Sequence, residues 1–396
     1  PTVDVYVNGD LLLDDFTFRT ATPFIDVLAN VPLSIAVAPG NSASVNDAVA
    51  TFPVTFAEGE TYIVTASGIL GNPTTPFTLI TNTNGRETSN VPGRVDVAVL
   101  HGAPDAPAVD VDAVFFADNV VENLSYGQFT PYLSFDPGKY DLAVRANGTT
   151  TPVATYRADL SGLADGAAYV FASGLLGGTP AFGLFAALPD GTVIEFPLTP
   201  TTRVQVVHNS PTPTVDVYAG NTLLLDNFEF RTATPFVNIP ADRDIEIGIA
   251  PDNSTSSGDA IATFTANFAT GKTYMVMAAG VVGSTDKPFS LYIDDQARET
   301  TAPGFTTLGA FHGLFTTFNL NLDLSERLIG TLYDDLAFGT FTPYTDLADD
   351  DYFIDITETG TTDLLGTHYI DPALFAGKTA RLFTSGILGG DPAYGL

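Results

Sequence analysis

The stretch LLLDDFTFRTATPF, residues 11–24, returns at residues 223–236 as LLLDNFEFRTATPF. Twelve of the fourteen positions agree, at an offset of 212. The same offset brings PTVDVY at 1–6 onto PTVDVY at 213–218, and PAFGL at 180–184 onto PAYGL at 392–396. Half that offset, 106, lays Val3-Asp4-Val5 over Val109-Asp110-Val111. A fixed internal period marks tandem modules, so the chain reads A–B–A–B. The modules fall at 1–92, 93–198, 199–304 and 305–396, and the joints at 90–93, 197–202 and 300–304 are short, Pro-bearing and therefore semi-rigid.

Within a module the pattern is that of strands. In the first, segments 3–7, 11–18, 24–37, 48–56, 61–66 and 76–81 alternate apolar and polar residues between turns such as Asn8-Gly9. With 36 Gly and 27 Pro in 396 residues, and Thr, Val and Phe abundant, composition favours short strands and tight turns. No stretch of ten residues carries helical periodicity. The expected fold is all-β: four tandem immunoglobulin-like, Greek-key β-sandwiches.

Charge and cysteine content limit the partners. Asp and Glu number 46 against 15 Lys and Arg, a formal net charge of −31. Such a chain repels nucleic acid and anionic lipid, so neither nucleic-acid binding nor membrane insertion is expected. The acid is dispersed rather than blocked, which suits a solvated surface. With no cysteine there is no disulfide and no thiolate metal site. A cysteine-free, Lys-poor, Thr-rich β protein fits an extracellular or cell-surface location.

A turn motif recurs. Phe56 to Tyr62 reappears as Phe268 to Tyr274 and as Leu163 to Tyr169, a glycine followed three residues later by a strand-opening tyrosine. This spacing suggests a tyrosine corner, in which the phenol bonds backbone at the turn. The last module has Arg381 at the expected tyrosine. The phrases Val206-Val207-His208-Asn209-Ser210-Pro211, Val215-Asp216-Val217-Tyr218, Phe129-Thr130-Pro131-Tyr132 and Ala172-Ser173-Gly174-Leu175-Leu176-Gly177 resemble a secreted prokaryotic family, domain of unknown function 4397. The resemblance runs through all four modules. It implies an immunoglobulin-like sandwich on exported surface proteins of prokaryotes and brings no catalytic residues. The fourth module departs most, with Asn321 where Asp110 and Asp216 stand and Phe315 in place of Pro104.

Candidate chemistry is sparse. His101, His208 and His312 share one position, and His101 with Asp110, or His208 with Asp216, can neighbour each other across paired strands. A His–Asp pair can orient a base or bind a metal, but a pair repeated in module after module suits a turn lock. No nucleophile elbow or phosphate loop accompanies it. Thus no enzyme is expected. Asp346, Asp349, Asp350 and Asp351 form the one acidic turn able to begin a calcium shell; no other cofactor is expected. Asn123, Asn147 and Asn253 lie in Asn-x-Ser/Thr triplets, which accept glycans in exported proteins.

Two full units would span 424 residues, 28 more than the chain has. The missing copy corresponds to residues 185–212, so the first module lacks an opening strand and the last stops within a strand. Either the chain is cut from a longer array or neighbouring copies complete each other by strand donation. The function expected is a structural component of an extracellular filament or surface array, its partners being copies of itself head to tail or the continuation of one longer chain. The alternative is an adhesin or binding array for surface glycans or proteins, with Tyr6, Tyr132 and Tyr218 stacking on sugars. A hydrolase is the third and weakest option.

Overall fold

In the computed structural model, which describes residues 2–317 and 319–396, the alternating segments become thirty-one strands among the described residues. Helical structure is confined to one turn, Pro372–Phe375, and two 3-10 turns, Val45–Asp47 and Ser257–Asp259. No helix among the described residues is long and apolar enough to cross a membrane. The chain is all-β, built of four tandem immunoglobulin-like sandwiches in two compact units, Pro1–Thr199 and Pro200–Leu396. The division falls inside the joint at 197–202.

Each module carries one four-stranded antiparallel sheet. In the first it is Asp10–Thr17, Thr2–Val7, Leu33–Pro39 and Ala50–Val54, in that spatial order. The central strand of that sheet alternates Asp and Val, and one residue in two is buried, as a half-covered strand requires. The hairpin it forms is bulged in every module, with register shifts between Val3 and Val5, Val109 and Val111, Val215 and Val217, and Leu322 and Leu324.

The facing sheet is organised by a parallel pair. An opening strand lies beside a closing strand: Val95–His101 with Ala167–Ser173, Thr201–Asn209 with Thr273–Ala279, and Phe305–His312 with Thr379–Thr384. Between the sheets, Val95, Val97, Val144 and Leu184 fill the second module. Leu308, Leu322, Leu324, Ile354 and Ile356 fill the fourth. A glycine follows each closing strand, at Gly68, Gly174, Gly280 and Gly386, with φ near +90°. A Cβ there would fall about 2.2 Å from the carbonyl oxygen of Pro76, Ala181, Pro288 or Ala393, so only glycine closes this loop.

The first module differs. Among the described residues its closing strand, Ile63–Ser67, pairs with Thr78–Asn82 alone and its other edge carries no strand. The segment expected as one strand over 24–37 is a strand only at Leu33–Pro39. The reason is visible in the third module, where Thr232–Ala233 and Val237–Pro240 are strands because both pair with the opening strand Thr201–Asn209. Without that ladder, the first-module segment has no partner to set its backbone. In the fourth module the closing strand is flanked by its opening strand, and Ser385 bridges to Gly395 beyond it.

Candidate functional site

The tyrosine corner is present in both A modules. The Tyr62 hydroxyl accepts from the Ala57 N–H at 2.9 Å, and the Tyr274 hydroxyl from the Ala269 N–H at 3.0 Å. Each ring packs on the phenylalanine that precedes the turn, Phe56 at 4.8 Å and Phe268 at 5.0 Å. Tyr169 corrects the sequence reading. Its hydroxyl meets Thr65 Oγ1 of the first module at 2.8 Å, so it joins two modules and makes no corner. In the B modules a different tyrosine serves the turn, Tyr140 donating to the Asp136 carbonyl and Tyr352 to the Ala348 carbonyl. Replacing Tyr274 by phenylalanine is expected to lower the stability of the second unit by about 1 kcal/mol, measured by urea unfolding.

The histidines and aspartates do not form pairs with each other. His101 Nε2 lies 2.8 Å from the Pro107 carbonyl, His208 Nε2 3.1 Å from that of Pro213, and His312 Nε2 2.9 Å from that of Leu320. A carbonyl only accepts, so Nε2 carries the proton in each ring and Nδ1 is left as the acceptor. The Ser210 N–H reaches His208 Nδ1, and the Leu314 N–H reaches His312 Nδ1, each at 3.3 Å. Burial pushes all three imidazoles below their usual range, His312 to about 4. These are neutral turn locks.

The aspartates lock the hairpin bulge. Asp4, Asp110 and Asp216 are buried, and each accepts from the N–H of a left-handed residue on the neighbouring strand, Asp15, Asn123 or Asn227. In the A modules the second oxygen takes a hydroxyl that also meets a tyrosine: Ser42 and Tyr6, or Ser254 and Tyr218. In the second module Arg145, Asn147 and Gly148 converge instead. The Asn123 N–H and the Asn147 amide hold the Asp110 carboxyl down to about 2. The fourth module corrects the sequence alignment: Asp323, not Asn321, fills this role, accepting from the Asp335 N–H and from Thr359.

The remaining candidates separate. Asp346 accepts from Thr307, Asp349 from Thr306 and Asp351 from Tyr369, while Asp350 caps its neighbour's N–H. Among the described residues no three His, Asp or Glu side chains converge as a metal site would require. Asn123 and Asn253 are exposed; Asn147 is exposed as a residue, yet its amide donates to buried Asp110. Tyr6 and Tyr218 are buried, and Tyr132 accepts from the Arg86 N–H beneath the Arg86 guanidinium, so none presents a free ring. A cavity between the sheets of the second module is lined by Val97, Val111, Leu142 and Phe182, with no carboxylate on its wall.

Two features escaped the sequence reading. The repeated Phe-Arg-Thr-Ala-Thr-Pro-Phe stretch is the clamp between A and B modules. Arg19, at φ +64°, donates to the Ser173 and Ala181 carbonyls at 3.1 and 2.6 Å and lies 4.2 Å over the Phe185 ring. Arg231 repeats it, donating to the Ala393 carbonyl at 2.8 Å and to Ser385 Oγ at 3.0 Å. Arg231→Ala is expected to speed amide exchange over residues 385–395 by roughly tenfold, since hydrogen bonds from a charged donor are worth about 1.5–3 kcal/mol.

The second feature is a seat. In three modules a Thr-Pro threonine grips the opening strand: Thr130 N–H donates to the Val99 carbonyl while its hydroxyl accepts from the Val99 N–H, and Thr234 with Val206 and Thr342 with Ala310 do the same. Thr22 holds that position in the first module's sequence, 212 residues before Thr234, and among the described residues no opening strand pairs with Ile63–Ser67. Val64 is 37% exposed where its counterpart Val276 is 3%, and Ile25, Val27 and Leu28 are exposed too. Covering Val64 as Val276 is covered would add about 1–2 kcal/mol.

A family model described as Domain of unknown function (DUF4397) matches residues 1–112, 95–187 and 202–323. No curated protein matches the chain. Among solved structures, the Bacillus anthracis TIE protein aligns over 97% of this chain and 74% of its own, at 11% identity and a TM-score of 0.16.

Proposed function

The chain belongs to the DUF4397 family, and from that premise we propose that it is a non-catalytic structural component of an extracellular or cell-surface array of a prokaryote, built head to tail from β-sandwich repeats. One observation carries the reading: the two-module unit recurs 212 residues on with its A–B clamp intact, Arg19 on the Ala181 carbonyl and Arg231 on the Ala393 carbonyl. The edge of Ile63–Ser67, which among the described residues pairs with no opening strand, is a pairing site. The strand that suits it has the pattern of Thr-Thr-Arg-Val-Gln-Val-Val-His-Asn, supplied by a neighbouring copy or by the continuation of the same chain.

Charge and chemistry agree with this role. A formal charge of −31 keeps repeating units soluble and apart except where strand pairing overrides repulsion. The repeated His, Asp and corner Tyr side chains hold turns, which supports a structural over an acid–base role for them. Electron microscopy of the native material tests the reading. Filaments whose joints show a strand running beside Ile63–Ser67 are expected. Dispersed particles at high concentration, with no end-to-end contact, would contradict it.

A further inference from the structure

Inside each unit, the sheet that holds the A module's closing strand packs on the opening-and-closing sheet of its B module. The positions at this contact are the same in the two units, 212 residues apart, yet the chemistry differs on both sides at once. In the first unit the Tyr169 hydroxyl meets Thr65 Oγ1 at 2.8 Å, and the Tyr126 hydroxyl meets Ser67 Oγ at 3.1 Å. Asn82 spends its oxygen on its own turn, accepting from the Asn84 N–H.

In the second unit Tyr169 is replaced by Arg381, Thr65 by Met277 and Asn82 by Asp294. Arg381 is ion-paired with Asp294, their side chains 1% and 6% exposed. Its other nitrogen donates to the Thr342 carbonyl at 2.7 Å, and its guanidinium lies 4.0 Å over the Tyr344 ring. Asp294 keeps the turn bond, from the Gln296 N–H at 3.0 Å. The oxygen it gains over asparagine is therefore the one that serves Arg381. Ser67 and Tyr126 become Ala279 and Phe338, so both hydroxyls of that bond vanish together. Thr75 becomes Lys287, and the Lys287 ammonium donates to the Thr316 hydroxyl.

We propose that these paired positions are a matching code that assigns each A module to its own B module. The A2 face set against the B1 face would bury Asp294 opposite Tyr169 with no cation, and Ala279 would leave the Tyr126 hydroxyl without Ser67. The A1 face set against the B2 face would leave the Arg381 guanidinium facing Asn82 without a counter-charge. A buried charge that loses its partner is strongly destabilising, whereas a neutral pair of matched shape is tolerated. In an array of near-identical repeats, this penalty separates correct A–B docking from docking shifted by one unit. The clamp arginines Arg19 and Arg231 each donate to the carbonyl at the same loop position, Ala181 or Ala393, so they supply adhesion, and the code supplies choice.

The test uses the full chain and proceeds in two steps. First B2 is given the B1 face, with Arg381→Tyr and Phe338→Tyr. Then A2 is matched to it, with Asp294→Asn, Met277→Thr and Ala279→Ser. Calorimetry reads the thermal transition, and hydrogen exchange in Thr273–Ala279 and Thr379–Thr384 assigns it to the second unit. The first step is expected to lower that transition by roughly 10 °C and to speed exchange in both strands. The second step should recover most of the loss. An unshifted transition after the first step, or no recovery after the second, overturns the proposal. Should the first variant not fold, the converse exchange in the first unit reads the same code: Asn82→Asp must restore the exchange protection that Tyr169→Arg removes, and failure to restore it overturns the proposal equally.

Discussion

Replacing Asp216 by alanine is expected to lower the thermal transition of the second unit by about 10 °C, the shift that ~3 kcal/mol produces in a unit of this size. The carboxylate is 1% exposed and accepts from the Asn227 N–H at 2.9 Å and from Ser254 Oγ at 2.5 Å. Asn227 is held at φ +52° in the bulge of the hairpin. Alanine leaves its N–H without an acceptor and releases the Ser254–Tyr218 relay, so the register of the whole hairpin loosens. Asp216→Asn keeps an acceptor oxygen and should lose less than half as much. Burial pushes the Asp216 carboxyl up, but the Ser254 hydroxyl and the Asn227 N–H more than offset this and leave it below the usual range. The stability it contributes is therefore present above the ordinary carboxylate pKa and lost as pH falls through the depressed one.

The second large effect is a loss of stability in a separate, higher pH window. His312 is fully buried and stays neutral in the folded chain down to about pH 4. An unfolded imidazole takes its proton near 6.5. Between those values the unfolded state binds more protons, so stability is flat above pH 6.5 and falls as pH drops towards 4. A gap of this size corresponds to ~3 kcal/mol for His312, with His101 and His208 adding in the same direction. Calorimetry from pH 8 to pH 4 should show the second unit losing stability below 6.5. His312→Gln, less stable at neutral pH, should flatten that part of the curve; an unchanged slope would show that the imidazole is not the titrating group.

Much of this architecture was legible in the chain. The 212-residue repeat and the alternation of Val-Asp-Val-Tyr mark the strands, but burial alternates in the first copy, Thr2–Val7, while Val215–Ala219 is buried throughout. The corner tyrosines were legible at Tyr62 and Tyr274, where the glycine spacing is local. Tyr169 has the same spacing and another role, since its partner, Thr65, lies 104 residues away in the preceding module. Asp323 was hidden by a local shift of the hairpin in the fourth module, which only the bulge at Asp335 reveals. Arg19 and Arg231 stood in the most closely repeated stretch of all. Their function depends on carbonyls of a loop 154 and 162 residues further on, which no local pattern encodes. The acidic turn at 346–351 read by composition as a weak candidate to begin a calcium shell, and in the fold its carboxylates accept from different hydroxyls and N–H groups.

The strand seat of the first module is tested most directly by hydrogen exchange on the full chain, with and without a synthetic peptide of residues 200–211, PTTRVQVVHNSP. Parallel pairing in the register of Thr201–Asn209 on Thr273–Ala279 would place the peptide along the unpaired edge of Ile63–Ser67. Slowed exchange of alternate amides in Ile63–Ser67 is expected when the peptide is in excess, with none in Thr273–Ala279, where the seat is already filled. A scrambled peptide should leave both unchanged. If Ile63–Ser67 exchanges at the same rate with and without the peptide, the edge is no seat for an opening strand and assembly through it does not occur.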